Sequence, residues 1–156
     1  MTWKKPHSRR RSIAGSKKVF HGSNHQIIKP RLPFYVTSDR LYASCYGPEI
    51  STFQINPKRV LDLSDPELQS DEVTPEQFKE ALISALDDEA AIAEVKAWRG
   101  PPGADTAYWL QDKDIRRIIK SAGFDVVKQF EFNGECGRSA ISYLVLDPDA
   151  ITKETN

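Results

Sequence analysis

Apolar residues in this chain change their spacing twice, and that change limits the fold more than any other feature. The first part carries short runs rich in β-branched and aromatic residues. Val19–His21, Phe34–Thr37, Ile50–Ile55 and Val60–Leu63 each read as a strand, with Asn56-Pro57 as a turn. Ser38 or Asp39 can cap a short helix through Tyr46. The spacing then becomes helical. Thr74-Pro75-Glu76-Gln77 has the form of a capping box with Pro at the first helical position. Phe78, Leu82, Ala85 and Leu86 follow on one stripe until Arg99-Gly-Pro-Pro-Gly103 interrupts. A second helix places Ile115, Ile118, Ile119 and Ala122 on one face and stops at Gly123. Strands return at Phe124–Phe132 and Ile141–Asp147, joined through the hairpin chemistry of Asn133-Gly-Glu-Cys-Gly137. Strands, then helices, then strands, without regular alternation, imply an α+β domain rather than a doubly wound sheet.

At 156 residues the chain has the length of one domain. Residues 1–18 read as a basic, flexible tail, 19–151 as the domain with its helical segment at about 74–122, and 152–156 as a short tail. A hydrophobic share of 39% is that of an ordinary globular protein. No apolar run approaches the roughly 20 residues that span a bilayer. The expected location is cytoplasmic, or inside a target cell reached by a route the sequence does not display. Cys45 and Cys136 lie far apart in sequence and read as free thiols of a reducing compartment.

A net charge of zero conceals an asymmetry. Seven Lys/Arg and no acid occupy residues 1–18, whereas 62–94 hold eleven Asp/Glu against the single base Lys79. The basic run, Arg9, Arg10 and Arg11 above all, is either a contact for nucleic acid or an acidic partner, or a solvated terminus resting on the acidic helix.

Chemistry-bearing residues cluster between Val19 and Gly47. His21-Gly22-Ser23 ends one strand, Tyr35 lies in the next, and Tyr46 follows eleven positions later. Glycine lets a ligand approach the backbone closely, and imidazole and hydroxyl groups can address sugar hydroxyls. Two tyrosine rings can hold a flat heterocycle between them. Taken singly, each residue also has an ordinary packing role. A zinc site from His21, His25 and Cys45 lacks a fourth ligand of familiar spacing, so no metal site is assigned. A Cys45–His21 nucleophile would need the two to be adjacent in space. Gly100-Pro-Pro-Gly103 lacks the Lys-Ser/Thr of a phosphate loop.

Jointly, these residues resemble the ADP-ribosyltransferase superfamily, in its diphtheria-toxin and poly(ADP-ribose) polymerase branch, which is marked by a His, a Tyr and a Glu on three strands. His21-Gly22-Ser23 is similar to the first motif, Phe34-Tyr35-Val36 to the second strand, and Tyr46 to the second tyrosine. The likeness continues through Phe53–Asp62 and Ile115–Val127, and closes at Ile141–Asp149. It implies a split antiparallel sheet with an inserted helical segment, and NAD as substrate in a cleft between two small sheets. His21 would bond the adenosine ribose, and the Gly22 backbone, beside Ser23, would read the nicotinamide amide. Tyr35 and Tyr46 would sandwich the nicotinamide ring.

In that family a Glu stands immediately before the tyrosine of the last strand. Here the place is held by Ser142, before Tyr143. An anion at developing positive charge supplies roughly a hundredfold or more in rate. A neutral hydroxyl offers about 1 kcal/mol of hydrogen bonding and no charge. The resemblance therefore implies His21, Tyr35 and Ser142 as the catalytic set of a mono-ADP-ribosyltransferase, of toxin, effector or phage type, with an unidentified protein or nucleic-acid acceptor. The alternatives are that Glu135 or Glu131 replaces the missing carboxylate, that the protein is an NAD glycohydrolase, or that it binds NAD or ADP-ribose without turnover.

Overall fold

A computed structural model describes residues 16–69 and 72–154. The strands are β1 Lys17–Ser23, β2 Phe34–Thr37, β3 Glu49–Ile55, β4 Val60–Leu63, β5 Val126–Asn133, β6 Arg138–Val145 and β7 Ile151–Lys153. The helices are α1 Arg40–Ser44, α2 Pro75–Ala85, α3 Glu89–Ala97, α4 Thr106–Trp109 and α5 Lys113–Ser121. This is an α+β chain whose seven strands form one sheet, in the order β4-β5-β6-β2-β1-β3-β7.

Period-2 alternation gives the sheet two apolar faces. One face carries Leu61, Leu63, Val127 and Leu144 and packs on the helices through Phe78, Leu82, Val95, Trp109, Ile115 and Ile119. The other carries Val19, Val36, Phe53, Val60, Val126, Tyr143 and Val145. The helical stripes read from the sequence are core: Phe78, Leu82 and Ala85 of α2 and Ile115, Ile118 and Ile119 of α5 are all buried. The Thr74–Gln77 capping box is closed in both directions.

Several expectations need correction. The sheet is not wholly antiparallel: β4 and β5 run parallel, Val60 beside Val126 through Leu63 beside Gln129. The chain between them is the helical segment, and a helical crossover returns a strand parallel to its predecessor. Asp125 secures the pair by accepting from the Lys58 and Arg59 amides, while the Arg59 guanidinium donates to the Ala122 carbonyl and lies over the Phe124 ring. The helical segment holds more breaks than its apolar spacing suggested. Leu86 ends α2, and Asp88 caps a new helix by accepting from Ala90 and Ala91. Residues 152–156 are not simply a tail, since Ile151–Lys153 pairs with β3 at the sheet edge. Likewise Lys17 and Lys18, assigned to the basic tail, begin β1 opposite Ile55 and Gln54. Arg9, Arg10 and Arg11 lie outside the described residues.

The two cysteines are not free. Cys45, just after α1, is bonded to Cys136 in the β5–β6 turn, with Cα atoms 5.9 Å apart. Ninety-one positions of sequence separate them. Only the closure of the sheet, which brings the hairpin tip back over the end of α1, makes them neighbours. The basis for inferring a reducing compartment is thereby removed. Among the described residues, no helix is long and apolar enough to cross a membrane.

Candidate functional site

The middle of the sheet is its weakest seam. β1 and β2 share one register pair, Phe20 with Thr37. Beyond it β1 continues with β3 as far as Ser23–Glu49, and β2 with β6 as far as Phe34–Val145. Where the ladder would have gone on, the His21 side chain takes its place: Nδ1 lies 2.7 Å from the Tyr35 carbonyl oxygen. A carbonyl only accepts, so Nδ1 carries the proton and, in the neutral ring, Nε2 keeps a lone pair. The ring is stacked on Phe34 at 4.2 Å, which fixes its plane.

The parting opens into a cavity of about 380 Å³ on the helical side of the sheet. His21 and Gly22 of β1, Tyr35 and Thr37 of β2, and Ser142 of β6 line it, with Tyr42, Ala43 and Tyr46 from α1 and the turn after it. Gln69, Asp105, Ala107 and Gln111 close it from the helical segment, and Glu131 and Phe132 from β5. Tyr46 and Phe132 are exposed, by about half and by 62%, and stand at the mouth.

The cavity exists because one sheet face turns polar along its length. On β5 the residues facing the helices run Val127, Gln129, Glu131; on β6 they run Leu144, Ser142. Gln129 and Ser142 are register partners and both are buried. Their polarity is met by each other and by Glu131. Gln129 Nε2 donates to Glu131 Oε1 and lies 3.5 Å from Ser142 Oγ. Tyr42 Oη donates to Glu131 Oε2 at 2.9 Å and sits 2.8 Å from Tyr46 Oη. Because the Tyr42 proton is committed to the carboxylate, Tyr46 must donate to Tyr42. A chain of hydroxyls thus leads from the mouth to Glu131.

Burial raises the Glu131 carboxyl above its ordinary range, opposed by hydrogen bonds from Tyr42, Ser142 and Gln129 and reinforced by the charge of Asp105. Burial also raises the phenols of Tyr35 and Tyr42. Both therefore remain protonated at neutral pH. No Lys or Arg lines this cavity among the described residues, whereas two carboxylates do. Such a site favours a cationic or electron-poor centre.

Three buried side-chain atoms have no hydrogen-bond partner among the described residues: Tyr35 Oη, Gln69 Nε2 and Gln129 Oε1. Two of these belong to residues lining the cavity. A buried polar group left unmatched costs about 1–3 kcal/mol, so orphaned groups in a cavity wall are what a polar ligand would satisfy.

Of the residues singled out in the sequence, His21, Gly22, Tyr35, Tyr46 and Ser142 all reach this one cavity. Ser23 does not line it, and its hydroxyl donates to the His25 carbonyl. Glu135 is exposed in the hairpin turn, whereas Glu131 is in the wall. The Cys45 sulfur is occupied by its bond to Cys136 and offers neither a nucleophile nor a metal ligand. Gly22 has a structural duty beyond any ligand. A Cβ there would meet the Ala43 carbonyl oxygen at 1.8 Å, so α1 can lie against β1 only over a glycine. Tyr42, Gln69, Asp105 and Gln111 were not singled out beforehand. The alternation Val127-Gln129-Glu131 is the one sequence signal that would have marked the β5 wall.

No family model matches the chain, and no curated protein matches it. Among solved structures it is similar to the crystal structure of an anti-CRISPR protein, at 15% identity over 90% of this chain and 97% of that one, with a TM-score of 0.47.

Proposed function

We propose that the chain is an NAD-dependent mono-ADP-ribosyltransferase acting on a macromolecule, with an ADP-ribosyltransferase-like arrangement of the sheet around its central seam. One observation carries the reading: five residues picked from four separate stretches of sequence line a single cavity at that seam. The orphaned Tyr35 hydroxyl and Gln69 amide add to it.

The expected roles suit the geometry. His21 Nε2, left as an acceptor by the bond from Nδ1 to Tyr35, receives a ribose hydroxyl. Tyr35 and Tyr46 supply ring surface, and the Gly22 backbone reads the carboxamide. Nicotinamide departs from NAD with the electron pair of the broken C1′–N bond. Its pyridinium charge is cancelled as positive charge develops on the ribose. The acceptor's lone pair then closes a bond to C1′, and its proton is released to solvent. A lining that bears two carboxylates and, among the described residues, no Lys or Arg favours the centre that becomes positive.

A second reading has its own support. Ser142, where the family has a carboxylate, is neutral and buried, which suits a module that holds NAD or ADP-ribose without turnover. Incubating the purified protein with NAD labelled separately in the nicotinamide and adenine portions distinguishes them. Release of nicotinamide, with the adenine label on a macromolecule, is the outcome expected of a transferase. Release without transfer would indicate a glycohydrolase, and saturable binding without release the binding module. Absence of NAD binding would remove every version of the proposal.

A further inference from the structure

Resting on the reading of the cavity as an NAD site, we infer that Glu131, on β5, is the catalytic carboxylate of this protein, that it stands in for the residue missing at position 142, and that Tyr42 is its positioning residue. Position 131 is two residues along β5 from the register partner of Ser142, on the same face, so its side chain reaches the cavity that Ser142 lines. It is held there on both oxygens, by Gln129 at Oε1 and by Tyr42 at Oε2. A carboxylate fixed in this manner is preorganised, needing no rearrangement as charge develops.

The groups facing Glu131 come from every side of the cavity. Tyr42 and Tyr46 approach from α1 and its following turn, Tyr35 from β2, Ser142 from β6, Gln129 from its own strand and Asp105 from the segment before α4. Asp105 is committed elsewhere, accepting from the Tyr108 amide as the cap of α4. Among the described residues Glu131 caps no helix and pairs with no cation. Its burial beside another acid favours the protonated form, and the Tyr42 hydroxyl is the first of the bonds that oppose this. Tyr42 thereby favours the ionised form, the one that can face a cationic centre. In the step itself the C1′–N bond breaks with its electron pair passing to the nicotinamide nitrogen. Glu131 faces the resulting cation and forms no bond to it. The acceptor supplies the new electron pair at C1′ and loses its proton to water.

The test compares wild type with Glu131→Gln, Glu131→Asp, Tyr42→Phe and Ser142→Ala, using NAD itself as probe. Calorimetry reads binding, and nicotinamide release across pH reads turnover. Wild type is expected to bind NAD and release nicotinamide. Glu131→Gln should bind NAD within about threefold of wild type while release falls about a hundredfold or more. Glu131→Asp keeps the charge but withdraws it, and should retain a measurable part of the release if the amide variant misfolds. Ser142→Ala should lose no more than about fivefold, the worth of one neutral hydrogen bond. Tyr42→Phe removes a bond to the ionised form, so the acid limb of its release–pH profile should move to higher pH, a change that loss of packing alone would not produce. Unaltered release in Glu131→Gln, or an equal loss in Ser142→Ala, would overturn the inference and leave the NAD reading standing. NAD binding without release by wild type would overturn it in favour of the binding module. A wild type that does not bind NAD would overturn both.

Discussion

The two walls of the cavity are built on different principles. The wall of β1, β2 and α1 is assembled from residues close in sequence, held by backbone geometry: a glycine that admits α1, and an imidazole that continues a broken ladder. The wall of β5 and β6 is assembled by strand register, and the groups it turns to the cavity are polar residues placed on a face that is otherwise apolar. The first wall supplies ring surfaces and neutral hydrogen-bonding groups. The second supplies the buried carboxylate that hydrogen-bonds the first. Ring surface and charge are thus divided between regions about ninety residues apart in the chain, joined by the β2–β6 ladder, the disulfide and the Tyr46–Tyr42–Glu131 hydroxyl chain.

The largest expected disturbance is to the first wall. Gly22→Ala puts a methyl group 1.8 Å from a backbone oxygen. The stability lost should be about 3 kcal/mol, at the upper end for overpacking, because a helix rather than a side chain must move. Denaturant unfolding measures it, and a variant as stable as wild type would mean that α1 does not lie against β1. Cutting the covalent link between the walls comes next. Cys45→Ser, or reduction, should lower stability by about 2 kcal/mol and weaken NAD binding as the hairpin tip separates from α1. Reduced and oxidised protein with equal stability and equal affinity would show that the disulfide contributes to neither. His21→Ala leaves the Tyr35 carbonyl without its donor and exposes the Phe34 face. About 1–3 kcal/mol of stability should go, together with NAD affinity.

The smallest effect has the opposite sign. A carboxyl raised by burial holds its proton longer in the folded state than in the unfolded one. It therefore costs stability increasingly as pH climbs from its unfolded value through its folded one. Glu131→Gln removes that cost while leaving an oxygen for Tyr42. Its melting temperature should rise relative to wild type at pH 7 and match it near pH 3. A uniform fall at both values would mean that the carboxylate stabilises the fold. Gain of stability with loss of turnover is the behaviour of a functional group maintained against folding.

How far the sequence could be read follows the same division. The strands before position 64, the capping box and both apolar helical stripes were legible because each is set by residues within a few positions of one another. That His21, Tyr35 and Tyr46 share one cavity was legible for that reason too. Ser142 was found through its neighbour Tyr143 in a recognisable strand. Glu131 could only be weighed against Glu135, because which of the two enters the cavity depends on where the hairpin turns: Glu131 lies within β5, Glu135 beyond its end. The disulfide and the parallel β4–β5 pair depend on the whole chain closing, and no local spacing encodes them. The break at Asp88 did carry a local signal, an acidic cap after an apolar stripe, hidden among the many acids of that segment. Much of that acidity is structural. Asp88 caps α3, Asp62 and Asp65 accept the Ser64 and Glu67 amides, Asp87 pairs with Arg59, and Glu94 pairs with Arg117.

The claim that both walls belong to one NAD site is tested most directly by titrating NAD into the isotopically labelled protein and following backbone amide resonances. Saturable shifts are expected at His21, Gly22, Tyr35 and Tyr46 on one wall and at Glu131 and Ser142 on the other, all with a single apparent affinity. Shifts confined to one wall, or no saturable shift at either, would contradict the account.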